Sequence, residues 1–197
     1  MKFKQSIVAL CSFTLLAGCA TRPTDIPKHS WIKPDDHRYA GVQNFGKVNN
    51  YLWRGGQPNN TGFQKLESAG IKTVLNLRSD HDDLPLLRGT KLKYIRIPMR
   101  AWNPGQGDNA QLMLVLKTLQ TLSRDPKTWP VFVHCAAGKD RTGYTVAAYR
   151  IVFENWSPNE AIEEMFDYRF NTVWFGNPDF LRHLSVNDVR AHLARAP

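Results

Sequence analysis

Residues 131–143, V-F-V-H-C-A-A-G-K-D-R-T-G, constrain this chain more than any other stretch. Val131, Phe132 and Val133 form a short run of β-branched and aromatic side chains, the composition of a buried strand. From Thr142 onward the apolar spacing becomes helical. Strand must therefore give way to helix in the short interval from Cys135 to Arg141. A tight loop there makes the amides of Ala136, Ala137, Gly138, Lys139 and Asp140 converge on one point, with the positive end of the helix behind them. Such a nest holds an anion. Gly138 allows a backbone conformation that other residues enter only at a cost, and the two alanines keep bulk away from the anion.

Arg141 adds a planar fork that grips two phosphate oxygens at once, which lysine cannot reproduce. Cys135 lies at the base of this positive field, an environment that holds a thiol as a nucleophilic thiolate at neutral pH. Taken singly, Cys135 reads as a small buried hydrophobe and Arg141 as a surface charge. His134, Cys135, Gly138, Arg141, Thr142 and Gly143 together, between a strand and a helix, favour chemistry. The run H-C-A-A-G-K-D-R-T-G resembles the signature loop of the cysteine-dependent protein tyrosine and dual-specificity phosphatases. The resemblance implies that Cys135 forms a phosphocysteine and that Arg141 binds phosphate and its transition state. It implies that the Thr142 hydroxyl stabilises the departing thiolate, and that His134 orients the loop and helps keep the cysteine ionised. Lys139-Asp140 is similar to a G-K-D-R variant found in some bacterial phosphatases and in enzymes acting on phosphoinositides. No cofactor is implied, and the six histidines show no metal-ligand spacing.

The remaining pattern predicts one α/β domain over residues 48–197, a central, mostly parallel sheet of four to five strands flanked by helices. Strands are expected at 50–54, 71–77 and 91–98, and helices at 61–69, ending at Gly70, and at 108–122. Residues 81–90 are ambiguous. After the signature loop the helix continues to Trp156. Ser157-Pro158-Asn159-Glu160 is a capping box that starts another, and one long helix from Asn177 carries Phe180, Leu181, Leu184, Val189 and Leu193 inward, with Arg182, His183 and Arg190 solvated. Trp156, Phe166, Trp174 and Phe175 read as core or packing aromatics. R-G-G-Q-P at 54–58 with V-L-N-L-R at 74–78 extends the resemblance over roughly 48–170.

A phosphatase of this type needs a group that protonates the leaving oxygen and then activates water. The irregular loop at 99–108 is the place for it, and Asp108 is its only carboxylate. Arg100, Ala101 and Trp102 stand where many members carry an aspartate. Asp108 is thus either the general acid or a helix cap. Trp102 either lines the pocket mouth or anchors the loop. Two other readings remain at this level, a non-catalytic phosphate-binding module and a rhodanese-like sulfurtransferase; Thr142-Gly143 and His134 speak against the second. Phosphoprotein, inositol phosphate and lipid phosphate all present the same dianion.

The first residues combine Lys2 and Lys4 with an apolar stretch too short for a stable span, the pattern of a signal peptide over 1–18. Leu16-Ala17-Gly18-Cys19 resembles a bacterial lipoprotein box, with Cys19 as the lipidated residue; an ordinary secretory signal or a buried N-terminal helix is the alternative. Residues 19–47, with Pro23, Pro27 and Pro34, read as a tether. Ala20 after the cysteine favours the outer membrane, facing the periplasm of a Gram-negative cell. Cys135 is then the one free thiol and lacks an internal disulfide partner. The net charge of +9 is scattered without a polybasic arm, which argues against nucleic acid. The expected partners are a phosphorylated protein or small phosphoester and, through the lipid, the membrane; a monomer is expected. Cys19→Ala should release the protein from membranes or block its processing. Mass spectrometry of the mature N-terminus decides this, and an unmodified terminus downstream of Cys19 excludes the lipid anchor.

Overall fold

A computed structural model describes residue 39, residues 41–100 and residues 109–195. Five strands, β1 (Gly46–Lys47), β2 (Leu52–Gly55), β3 (Thr73–Arg78), β4 (Lys93–Met99) and β5 (Val131–His134), form one sheet in the order β1-β2-β5-β3-β4. Only β1 runs antiparallel to its neighbour. The apolar run predicted as a strand takes the central place, with Leu52 and Thr73 both in register with Val131, and Gly55 and Asn76 with His134. A strand flanked on both edges and covered on both faces is mostly apolar, and every residue of β5 is buried, the terminal His134 included.

The two faces divide by strand alternation. Phe132 points into a cluster with Phe45, Trp53, Phe63, Leu66 and Val74, closed by α1 (Asn60–Ser68). Val131, Val133 and Cys135 point into the larger cluster, with residues of α2 (Asn109–Leu122), α3 (Asp140–Glu154), α4 (Pro158–Asp167), α5 (Gly176–Arg182) and α6 (Val186–Arg195). The punctuation of these helices follows their sequence. Asn59 caps α1 by accepting from the Gly62 amide at 2.8 Å, and Gly70 follows its end at φ +100°. Ser157 and Glu160 form both bonds of the capping box at α4, and Asn155 in the left-handed region ends α3.

Several expectations need adjusting. Residues 41–47, read from the sequence as the end of a tether, supply β1 and bury Val42 and Phe45. Residues 84–89 form consecutive turns rather than a helix. The long terminal helix is two, because the chain leaves helical geometry between Arg182 and Val186, where Ser185 and Asp188 give a second N-terminal signature. Arg190 is not merely solvated: its guanidinium donates to the Val152 carbonyl at 2.6 and 2.8 Å and to Asn155 Oδ1 at 2.6 Å, satisfying the end of α3. Phe166 and Phe175 are exposed, Phe175 by 81%. Cys19, Trp102 and Asp108 lie outside the described residues.

One buried ion cluster ties the helical layer to the sheet. Arg150 on α3 donates to both oxygens of Glu164 on α4 at 2.9 and 2.7 Å, to Glu154 at 2.6 Å and to the Val48 carbonyl at 2.9 Å, with its face on Trp156. Burial alone would lower the Arg150 pKa, but the hydrogen bond and charge of Glu164 outweigh it and hold the guanidinium above its ordinary value. Arg150→Met leaves Glu164 and Glu154 buried without their cation. Urea unfolding of this variant should show a loss of about 3–5 kcal/mol, as for other broken buried pairs.

Candidate active site

The loop from Cys135 to Lys139 joins the end of the central strand to the start of α3. Its course is fixed by what its carbonyls meet. The Ala136 carbonyl accepts from the Gln57 amide at 2.9 Å, and the Gly138 carbonyl accepts from Asn44 Nδ2 at 2.9 Å and Arg54 Nη2 at 3.1 Å. In a trans peptide the C=O and the following N–H point in opposite directions. Turning these carbonyls outward therefore turns the Ala137 and Lys139 amides inward. Among the described residues, no protein group accepts from the amides of Ala136, Ala137, Gly138 or Lys139. Of the five amides expected to converge there, those of Ala137 and Lys139 are thus turned inward.

Gly138 is required twice over. Its φ is +69°, and a Cβ there would lie 2.5 Å from the Gly55 carbonyl carbon and from the Gly56 nitrogen. The loop thus lies directly on the turn that follows β2, which accounts for the two glycines of R-G-G-Q-P.

Below the loop, His134 is fully buried. Its Nε2 is 2.8 Å from Asp83 Oδ2 and its Nδ1 is 3.3 Å from the Cys135 carbonyl. Asp83, also fully buried, accepts from Gln57 Nε2 at 2.7 Å, and its amide donates to the Tyr94 hydroxyl, which also accepts from Asn76. His134 packs between the Phe132 and Phe63 rings. Asp83 comes from the stretch that the sequence left ambiguous. Its only signal is a carboxylate between Asp82 and Leu84 with no element to place it.

Arg141 and Thr142, on the first turn of α3, complete the set. Arg141 Nη1 lies 3.8 Å from Asp80 Oδ1. Asp80 is also gripped by Arg78 at 2.8 and 3.2 Å, and Arg78 reaches Gln57 Oε1 at 3.2 Å. The Arg78 hydrogen bond holds the Asp80 carboxyl down at about 2, and Asp80 in turn raises Arg78. The Leu84 amide likewise lowers Asp82. Thr142 is buried, and its hydroxyl has no hydrogen-bond partner among the described residues. The side chains of Lys139 and Asp140 are not part of the amide nest; Asp140 Oδ1 instead accepts from the Asn171 amide at 2.9 Å, fastening the segment after α4 to the loop. Among the described residues no cluster of His, Cys, Asp or Glu has metal-holding geometry.

Comparison with known proteins points the same way. A model of the tyrosine phosphatase family matches residues 40–193. The chain is 32% identical over 143 residues to the dual specificity protein phosphatase TpbA of Pseudomonas aeruginosa, covering 73% of this chain and 60% of that protein. It is 31% identical over 133 residues to the inositol diphosphatase DSP5 of Arabidopsis thaliana, covering 61% of this chain and 59% of that one. The chain thus spans about 60% of the length of these curated relatives. The crystal structure of TpbA in complex with phosphotyrosine superposes with a TM-score of 0.67 at 27% identity, covering 80% of this chain and 98% of that one. The core catalytic domain of the yeast PP-IP phosphatase SIW14 shares the fold, with a TM-score of 0.64 at 22% identity over 78% of this chain and 92% of that one.

The buried Asp83 carboxylate supports His134 and Gln57 together, so its charge should matter more than its shape. Asp83→Asn should lower the unfolding free energy by about 1.5–3 kcal/mol, the range for hydrogen bonds to charged groups, as read by urea titration.

Proposed function

Because the chain belongs to the tyrosine phosphatase family, we propose that it is a metal-independent phosphomonoesterase that works through a phosphocysteine. The observation that supports this reading is the loop after Cys135, whose Ala136 and Gly138 carbonyls are drawn outward so that the Ala137 and Lys139 amides face inward. The nest and the Arg141 fork take the three non-bridging oxygens of a phosphate dianion and turn the ester oxygen away from the thiolate. Cys135 Sγ attacks phosphorus, an S–P bond forms, and the P–O bond to the leaving group breaks. Asp108 gives a proton to that oxygen. A water, losing its proton to Asp108, then attacks phosphorus, releasing inorganic phosphate and the thiolate. The Thr142 hydroxyl, free of protein partners among the described residues, stabilises that thiolate.

Asp108 takes the acid role by its sequence position immediately before α2, and the chemistry of the other carboxylates supports it. Asp80, at about 2, carries no proton at neutral pH. Asp83 is committed to His134 and Gln57, and Asp140 to the Asn171 amide.

The relative crystallised with phosphotyrosine and the plant inositol diphosphatase support a substrate that presents a phosphate dianion on a phosphoprotein or a phosphorylated inositol or lipid. The relatives favour this chemistry over sulfur transfer. Lipidation at Cys19 would hold the domain in the cell envelope.

Cys135→Ser should abolish turnover while inorganic phosphate or vanadate still binds, and activity should persist in EDTA. A Cys135→Ser variant retaining more than a few per cent of the wild-type rate would contradict the covalent route. Asp108→Asn should slow phenyl phosphate hydrolysis by roughly 10²–10⁴-fold and nitrophenyl phosphate hydrolysis much less. Asparagine caps helices as well as aspartate does, so equal rates on phenyl phosphate would reduce Asp108 to a cap.

A further inference from the structure

Arg54 has no part in the chemistry above, yet it is the largest of the fully buried side chains, with 1% of its surface exposed. It opens R-G-G-Q-P as the third residue of β2, against the signature loop. Its Nη2 donates to the Gly138 carbonyl at 3.1 Å, and its guanidinium lies 3.7 Å over the Tyr168 ring. Nε and Nη1 have no hydrogen-bond partner among the described residues.

A buried guanidinium is costly unless an anion answers it. The neighbouring anions are otherwise committed. Glu164 is held by both arms of Arg150. Burial pushes the Tyr168 phenol up to about 12, so the ring facing Arg54 is neutral. Burial lowers the pKa of Arg54 itself, partly offset by Tyr168, Glu164 and Cys135, yet the group remains a cation. The negative charge left for it is the one the loop holds, on Cys135 or on a bound phosphate.

Asn44 makes the second bond to the same carbonyl, at 2.9 Å, and also donates to the Tyr168 carbonyl at 2.9 Å. It does so from φ +53°, a backbone conformation that asparagine tolerates better than most residues. Two donors from β2 and from the segment before β1 therefore meet on one oxygen of the loop.

We propose that Asn44 and Arg54 are positioning residues that clamp the Gly138 carbonyl, set the Lys139 amide toward the bound anion and place an unpaired positive charge beneath it. Their action passes through the loop, since neither touches the reacting atoms. The inference rests on the phosphate-binding reading of the loop, and the motif R-G-G-Q-P then has a function at each end: Arg54 for the loop, Gln57 for Asp83.

The test uses the full chain and inorganic phosphate, measured as a competitive inhibitor of aryl phosphate hydrolysis and by calorimetry on the Cys135→Ser background, with melting temperatures recorded throughout. Arg54→Gln should weaken phosphate binding and lower kcat/KM by roughly 10–100-fold, and Arg54→Lys, which keeps the charge, should recover part of the loss. Asn44→Gly keeps the positive φ and removes only a neutral donor, so it should cost roughly 3–10-fold with little change in melting temperature. A folded Arg54→Gln or Asn44→Gly with wild-type phosphate affinity would overturn the clamp. If Arg54→Gln does not fold, Asn44→Gly alone decides, because it leaves the guanidinium in place. Wild type that binds phosphate in a clamp-dependent way without hydrolysing aryl phosphates would support the clamp and defeat the enzymatic reading. Failure of wild type to bind phosphate at all would defeat both.

Discussion

The site depends on one close approach, the loop at Gly138 lying on the turn at Gly55 and Gly56 with no room for a Cβ between them. That contact brings the β2 turn within hydrogen-bonding reach of the loop carbonyls, so the Gln57 amide meets Ala136 and Arg54 meets Gly138. Because a peptide unit is rigid and planar, each carbonyl drawn outward commits an amide inward. The anion nest is therefore held from behind, by groups that need never touch an anion. A loop shaped only by its own residues would lose more conformational entropy on each binding event.

Around this contact, three of the buried charged groups among the described residues are each handled differently. Arg150 is saturated by Glu164, Glu154 and the Val48 carbonyl and serves the joint between the helical layer and the sheet. Asp83 is shared by His134 and Gln57 and so couples the base of the cysteine to the same β2 turn. Arg54 alone is left with a single carbonyl and an aromatic face. Saturated charges fix architecture, whereas an unsaturated one beneath an anion site raises the site's affinity for negative charge. At the mouth, Asp80 binds Arg78 and approaches Arg141, but it is largely exposed, and water screens that pair.

Periodicity and local chemistry wrote much of this into the sequence. The apolar run at 131–133, the capping box at Ser157 and the glycine stop at Gly70 act over a few residues, and each sits where its pattern demands. The strand-loop-helix around Cys135 likewise follows from its own side chains, with β5 ending at His134 and α3 starting at Asp140. Recognition of the family rested on those residues too, and the matched family model agrees.

What the tertiary structure decided lies between residues far apart in the chain. Nothing near Asp83 announces that it will meet His134, 51 positions later, because buried pairing depends on which turn the fold presses against β5. The same holds for Asn44 and Arg54, which reach Gly138 across 94 and 84 positions. Residues 41–47 looked like tether because Val42 and Phe45 are too sparse to show a period, yet the sheet edge and the aromatic cluster give them a place. Phe175 looked like core by its type and is exposed, since hydrophobicity says that a side chain favours burial but only packing says whether a site exists for it. The sequence by itself determined the reactive loop and the layers that carry it; the groups that brace the loop from behind were decided only when the folded chain brought β2, the Asp83 turn and β5 together.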